Sequence, residues 1–231
     1  MVKYSIGLFL FLLASCTSLH EIENLPSDQY HLTAKYYLVL TDTIYTGKTN
    51  KARVKLVLEN DSLKFKPLVG KVARKAVRVY DIQNLKFHRH TFDVDVFTIP
   101  FKLRPAVKDF PLQLNSNFSG SIYLGRRHDY YRIKAVPKRT ERPVKLTGVG
   151  FGYGGILGIG AVTMNPFVTQ NKINYEYDGF VVTGGIAGIY DAKKFNLGLS
   201  IGTDLLLDQN RKDWLYQGKP WLGILFGINL N

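Results

Sequence analysis

A single cysteine, Cys16, occurs in 231 residues, so no disulfide can form within the chain. Acidic residues are scarce as well. Eighteen Asp and Glu stand against 31 Lys and Arg, which leaves a formal charge of +13. After Leu13 no stretch is apolar and long enough to cross a membrane as a helix, which takes ~20 apolar residues. Helical periodicity is missing too. Beyond the N-terminal run, apolar residues recur every two positions rather than every three or four. These absences exclude a disulfide-stapled scaffold and a helical membrane protein. What remains is a β-rich chain, held by packing or by a closed hydrogen-bonded sheet.

The N-terminus carries the most specific signal. Lys3 precedes the apolar run Ile6–Leu13, and small residues follow in Leu13-Ala14-Ser15-Cys16. A positive end, a short apolar core and a small-residue site make an export signal. The Leu-Ala-Ser-Cys ending resembles the lipobox of bacterial lipoproteins. The resemblance implies a signal peptide over 1–15, a lipid on Cys16 and a place in the bacterial envelope. The first acidic residue after Cys16 is Glu21, so an acidic surface-export tag is not expected. The anchor is expected in the outer membrane of a Gram-negative bacterium, with residues 16–29 as a polar tether. Nucleic acid is not an expected partner of an exported chain. The basic excess points to anionic lipid head groups, where each Lys or Arg gains roughly 1 kcal/mol. Other envelope proteins are the second class of partner considered.

Strand patterns follow the tether. Tyr30–Leu40 places Tyr30, Leu32, Ala34, Tyr36, Leu38 and Leu40 on one face. Arg53–Leu58, Leu63–Phe65, Val77–Ile82 and Thr91–Ile99 read as further strands, with a turn at Asn60-Asp61. Pro100, Pro105 and Pro111 predict a break between Ile99 and Leu112. From Asn117 the texture changes. Phe118, Ile122 and Leu124 alternate with Ser119, Ser121 and Tyr123. Val149, Phe151, Tyr153, Leu157, Ile159 and Ala161 alternate with Gly148, Gly150, Gly152, Gly154, Gly158 and Gly160. Phe195–Gly202 and Trp221–Asn231 repeat the habit, and Phe180–Tyr190 follows it less cleanly.

A soluble sandwich puts its large apolar side chains inward and charged ones outward. Here the second face is small and nearly uncharged, and in-phase glycines weaken a strand without a compensating reason. A narrow membrane barrel supplies that reason, with Leu, Ile and Phe facing lipid and Gly, Ser and Asn lining the lumen. Tyr175, Tyr177, Trp214, Tyr216 and Trp221 flank the segments and resemble the aromatic girdles of outer-membrane barrels. The stretch Trp221–Asn231 resembles the C-terminal insertion strand of those proteins, although that family usually ends in Phe or Trp. The expected fold is all-β, an antiparallel up-and-down transmembrane β-barrel of about 8–12 strands with a narrow, Gly-lined lumen, over a single domain at 30–231. The alternative is a soluble β-sandwich or barrel on a lipid anchor. A general porin needs about 16–18 strands, so a wide diffusion pore is excluded. Thr163–Asp178 and Asp204–Pro220 are expected as loops on one side, with Asp191–Lys194 as a short turn on the other. A hairpin at Gly154-Gly155 would reverse that parity.

Few residues invite chemistry. His88-Arg89-His90 with Asp93 and Asp95 is the richest polar cluster, and reads as a solvated turn rather than a metal site. Arg126 and Arg127 follow a spanning-type strand and are candidate contacts for anionic lipid, as are Lys138, Arg139 and Arg142 between two prolines. His128-Asp129 could form part of a hydrolytic constellation, but no Ser nucleophile stands in a recognisable setting. The glycine spacings near Gly150 lack a following helix and do not read as a nucleotide loop. No catalytic residue, metal ligand or cofactor is assigned. The expected role is structural, as a complex subunit, or in narrow transport. A lipid- or lipopolysaccharide-modifying enzyme and a soluble periplasmic ligand-binding lipoprotein are the alternatives.

Overall fold

The structure, a computed structural model, describes residues 20–21, 25–36, 51–59, 62–68, 75–78, 84–107, 110–135, 144–191 and 195–228. The signal segment with Cys16, the turn at Asn60-Asp61 and the basic residues Lys138, Arg139 and Arg142 lie outside the described residues. The strands are β1 (His20–Glu21), β2 (Asp28–Thr33), β3 (Lys51–Glu59), β4 (Ser62–Pro67), β5 (Lys75–Arg78), β6 (Asn84–Arg104), β7 (Gln113–Asn115), β8 (Ser119–Ala135), β9 (Val144–Met164), β10 (Tyr177–Asp191), β11 (Phe195–Leu206) and β12 (Pro220–Ile228). The chain is all-β, and its strands pair in antiparallel registers among the described residues. Among the described residues no helix is long and apolar enough to cross a membrane.

The chain clusters into two compact units, Met1–Arg89 with Asp129–Val149 and His90–His128 with Gly150–Asn231. In the first, β2 pairs with β3 and β6, β3 with β4, and β4 with β5. Tyr30, Leu32, Val54, Leu56, Leu63 and Phe65 alternate onto one buried face and pack with Leu85, Phe87, Tyr131 and Ile133. The opposite positions Lys51, Arg53, Lys55, Lys64 and Lys66 are exposed. This is an ordinary one-sided antiparallel sheet. The expected strand over Tyr30–Leu40 is shorter than read: β2 ends at Thr33, and residues 34–36 are helical. The β2–β3 ladder ends at the Thr33–Lys51 pair, and Ala34 and Lys35 are good helix formers.

In the second unit six strands pair in a ring, in the order β6-β8-β9-β10-β11-β12 and back to β6. The ring has fewer strands than the expected 8–12. That expectation assumed strands of ordinary length, whereas β6 and β9 run 21 residues each and β1–β5 lie outside the ring. The break expected at Pro100 does not occur, because β6 runs through it to Arg104. Ile224 pairs with Phe101 and Phe226 with Thr98, so the lone Leu225 opposes both Ile99 and Pro100. Proline has no N–H to give a ladder, and a bulge is where a sheet tolerates it. No hairpin forms at Gly154-Gly155 either. β9 is continuous and pairs with β10 from Met164–Tyr177 to Gly150–Asp191.

The ring is apolar outside, and within it buried charge stands beside an apolar core. Leu157 is 65 %, Ile186 66 % and Leu199 61 % exposed, while Lys102, Arg104 and Asp204 on the inner side are at most 3 % exposed. Phe97, Ile99, Tyr123, Ile156, Trp221 and Leu225 fill the middle of the ring. The strands approach too closely for side chains at some contacts. A Cβ at Gly158 would collide with the Gly120 carbonyl oxygen, and one at Gly154 with that of Leu124. The expected loops meet at one end, where Leu215 N–H donates to the Val168 carbonyl (3.0 Å) and Lys172 pairs with Asp213 (2.7 Å). The expected aromatic girdle needs correction. Trp214, Tyr216 and Trp221 are at most 4 % exposed. Trp221 turns inward because Gly202 and Gly223 leave it room; a Cβ there would come within 2.6 and 2.8 Å of its ring. Trp214 and Tyr216 fold inward from the loop after β11 into the core of that end.

Candidate functional site

The inner positions near the loop end of the ring carry charge. On β6, Lys102 and Arg104 alternate with Phe101 and Leu103, which puts both cations inside. Asp204 on β11 pairs in register with Thr183 on β10, and both are fully buried. Lys102 Nζ donates to Asp204 Oδ1 (2.9 Å) and to Thr183 Oγ1 (3.1 Å). The Thr183 hydroxyl donates to the same carboxylate oxygen (2.6 Å), and Arg104 Nη2 to the other one. Aromatic faces line the cations: Lys102 Nζ lies 4.7 Å from the Trp221 ring centre, and the Arg104 guanidinium carbon 5.0 and 5.5 Å from those of Trp214 and Tyr216.

Two cations against one carboxylate leave this buried group with one positive charge in excess. Burying a charge without full pairing costs several kcal/mol. Arg104 Nε and Nη1 and the Tyr216 hydroxyl have no hydrogen-bond partner among the described residues. Burial pushes the Tyr216 phenol up, with Arg104 opposing, so its hydroxyl keeps its proton as a donor. Arg104 and Tyr216 line a cavity of about 230 Å³ together with Trp214, Asn115, Asn117 and Thr163. Its rim includes Ser116 and Leu114, which are exposed.

None of Lys102, Arg104, Thr183 or Asp204 stands out as a site in the sequence. The two cations fall between Pro100 and Pro105, where the sequence predicts a break, and Asp204 stands at the start of the expected loop Asp204–Pro220. One signal was available: charged residues sit at the inward parity of Phe101-Lys102-Leu103-Arg104 and Thr203-Asp204-Leu205.

The residues singled out from sequence are dispersed. Arg126 is exposed on β8, and Arg127 is ion-paired with Asp191. His88, Arg89 and His90 lie within β6, an extended strand rather than the expected turn. Arg89 Nε donates to Asp129 Oδ2 (2.8 Å) and its Nη1 to Asp28 Oδ2 (3.2 Å). His88 stacks on His31 (5.3 Å) and on Tyr130 (5.9 Å). Asp95 accepts from Asn196 Nδ2 (3.2 Å). His128 and Asp129 are successive strand residues and point to opposite faces, His128 stacking on Tyr153 and Asp129 held by Arg89. Among the described residues no group of three or more His, Cys, Asp or Glu converges as a metal site. In the first unit, a pocket of about 340 Å³ is lined by His31, Tyr36, Lys86, His88, Tyr130 and Arg132. Burial, with Lys51 and Arg53 adding, holds the His31 imidazole below its ordinary value.

No family model, no curated protein and no solved structure matches the chain.

Proposed function

We propose that the chain is a non-enzymatic β-barrel protein of a bacterial outer membrane, tethered by lipid on Cys16 and acting as a structural element or subunit of an envelope assembly. The observation that carries this reading is the apolar outer face of the six-stranded ring. A soluble protein rarely exposes a contiguous apolar patch beyond a few hundred Å². Here the outward positions of β8, β9, β10, β11 and β12 present Ile122, Leu157, Ile186, Leu199 and Leu222, each more than half exposed, while charge is buried inside. Lipid accepts such a face at no cost, and strand closure satisfies the backbone that lipid cannot. Spanning strands need about 9–11 residues, and β11 supplies 12 and β10 supplies 15. The interior is filled by Phe97, Ile99, Trp221 and Leu225, which argues against an open channel and for a structural role. The exposed lysines of β3 and β4, with Arg126, would contact anionic head groups.

Carbonate extraction of membranes from cells expressing the native chain and Cys16→Ala tests the reading. Retention of the Ala variant in the membrane is the expected result. Its release as a soluble protein would mean that the lipid is the sole anchor, and the embedded ring would have to be abandoned.

A further inference from the structure

We propose that the buried Arg104, together with Tyr216, forms a binding site for one small oxyanion, a carboxylate or phosphate group, in the cavity at the loop end of the ring. Three features converge on this. First, Lys102, Arg104 and Asp204 leave one positive charge uncompensated in a site at most 3 % exposed. An anion is the ligand that restores neutrality there. Second, two residues of the cavity lining carry unused donors. Arg104 spends Nη2 on Asp204, while Nε and Nη1 have no partner and carry three N–H bonds between them. The unpartnered Tyr216 hydroxyl adds a fourth donor. Donors to a charged acceptor are the strong class of hydrogen bond, and an arginine suits flat or tetrahedral oxyanions. Third, there is room. The cavity of about 230 Å³ compares with ~30 Å³ for one water in the liquid. Asn115, Asn117 and Thr163 on its wall extend the polar lining toward the exposed rim.

The architecture explains why the site is held open. The Arg104 guanidinium lies on the faces of Trp214 and Tyr216, and Asp204 fixes its far edge. The group is thus oriented before a ligand arrives, which lowers the ordering cost of binding. The oxyanion is either a free small anion or the head group of an anionic lipid. The inference does not depend on whether the ring lies in a membrane.

Calorimetric titration of the purified full-length protein, folded in neutral detergent, decides the matter. The probes are sodium phosphate, sodium acetate and dihexanoyl phosphatidylglycerol, each at ionic strength held constant with chloride. Saturable binding of at least one probe at about one per chain is expected, weakened roughly tenfold or more in Arg104→Gln, as loss of charge-assisted hydrogen bonds requires. Tyr216→Phe keeps the ring against the guanidinium and should weaken binding several-fold through one lost donor. Lys134→Gln, on the exposed surface of β8, should bind as the native chain does. Saturation by phosphate or acetate identifies a free oxyanion; saturation by the lipid alone identifies a head group. The inference is overturned if none of the three probes saturates, or if folded Arg104→Gln binds like the native protein. Should Arg104→Gln fail to fold, an unchanged affinity in Tyr216→Phe overturns it.

Discussion

Replacing Leu199 with arginine puts a charge on the outward face of β11, midway along the strand. Leu199 is 61 % exposed, and its outward neighbours are Leu197, Ile201 and, across the β11–β12 ladder, Ile224. The side chain leaves no core behind when it is removed. In water the substitution would therefore change stability by no more than about 0.5 kcal/mol, the usual range for exposed sites. On the lipid face of a barrel, arginine near the midplane costs about 2–4 kcal/mol. The lower figure already shifts the folding equilibrium roughly 30-fold. Urea titration of the protein in phosphatidylcholine vesicles, followed by tryptophan fluorescence, measures the difference. Leu68→Arg is the internal control, because Leu68 is exposed beyond β4 in the other compact unit and should be neutral. A Leu199→Arg effect within about 0.5 kcal/mol, equal to that of Leu68→Arg, would refute the lipid-facing assignment.

Other perturbations probe the interior and the first unit. Asp204→Asn leaves Lys102 and Arg104 buried without their shared carboxylate and should destabilise by about 3–5 kcal/mol in the same urea assay. Gly158→Ala should lower the unfolding midpoint strongly, because its Cβ would strike the Gly120 carbonyl, whereas Gly184→Ala, with nothing within 4 Å, should be close to neutral. Arg89→Ala strips the buried Asp129 of its 2.8 Å partner and should cost several kcal/mol; a change below about 1 kcal/mol would show that water replaces the pair. His31 binds its proton less readily folded than unfolded. Stability should fall as pH drops through its ordinary value of 6.5 toward the lowered folded value, and level off below that. His31→Gln should flatten that part of the pH profile of the unfolding midpoint.

Local alternation made much of the fold legible. The outward parity of Phe151, Tyr153, Leu157 and Ile159 read correctly as one face, and those side chains are exposed along a single unbroken strand. The apolar parity of Tyr30 and Leu32, and of Val54 and Leu56, likewise marks the buried face of the first unit. Other features had no local signature. Pro100 looks like a terminator unless the opposing strand has a residue to spare for a bulge, and Leu225 is 125 positions away. Trp214, Tyr216 and Trp221 suit an interface belt as well as a packed interior; only the space left by Gly202 and Gly223 and the fold of the loop decide for the interior.

By itself, the sequence determined the element type and the sidedness of strands such as β3, β9 and β11, because a period of two follows from strand geometry and needs no partner. It also determined what could not be built, a disulfide or a helical span. Strand order, and with it the site, was decided by the tertiary structure alone. Lys102 and Asp204 are separated by 102 residues and meet only because β12 pairs with both β6 and β11, closing the ring. Closure sets which inward side chains share one small interior, and a one-dimensional pattern holds no record of that distance.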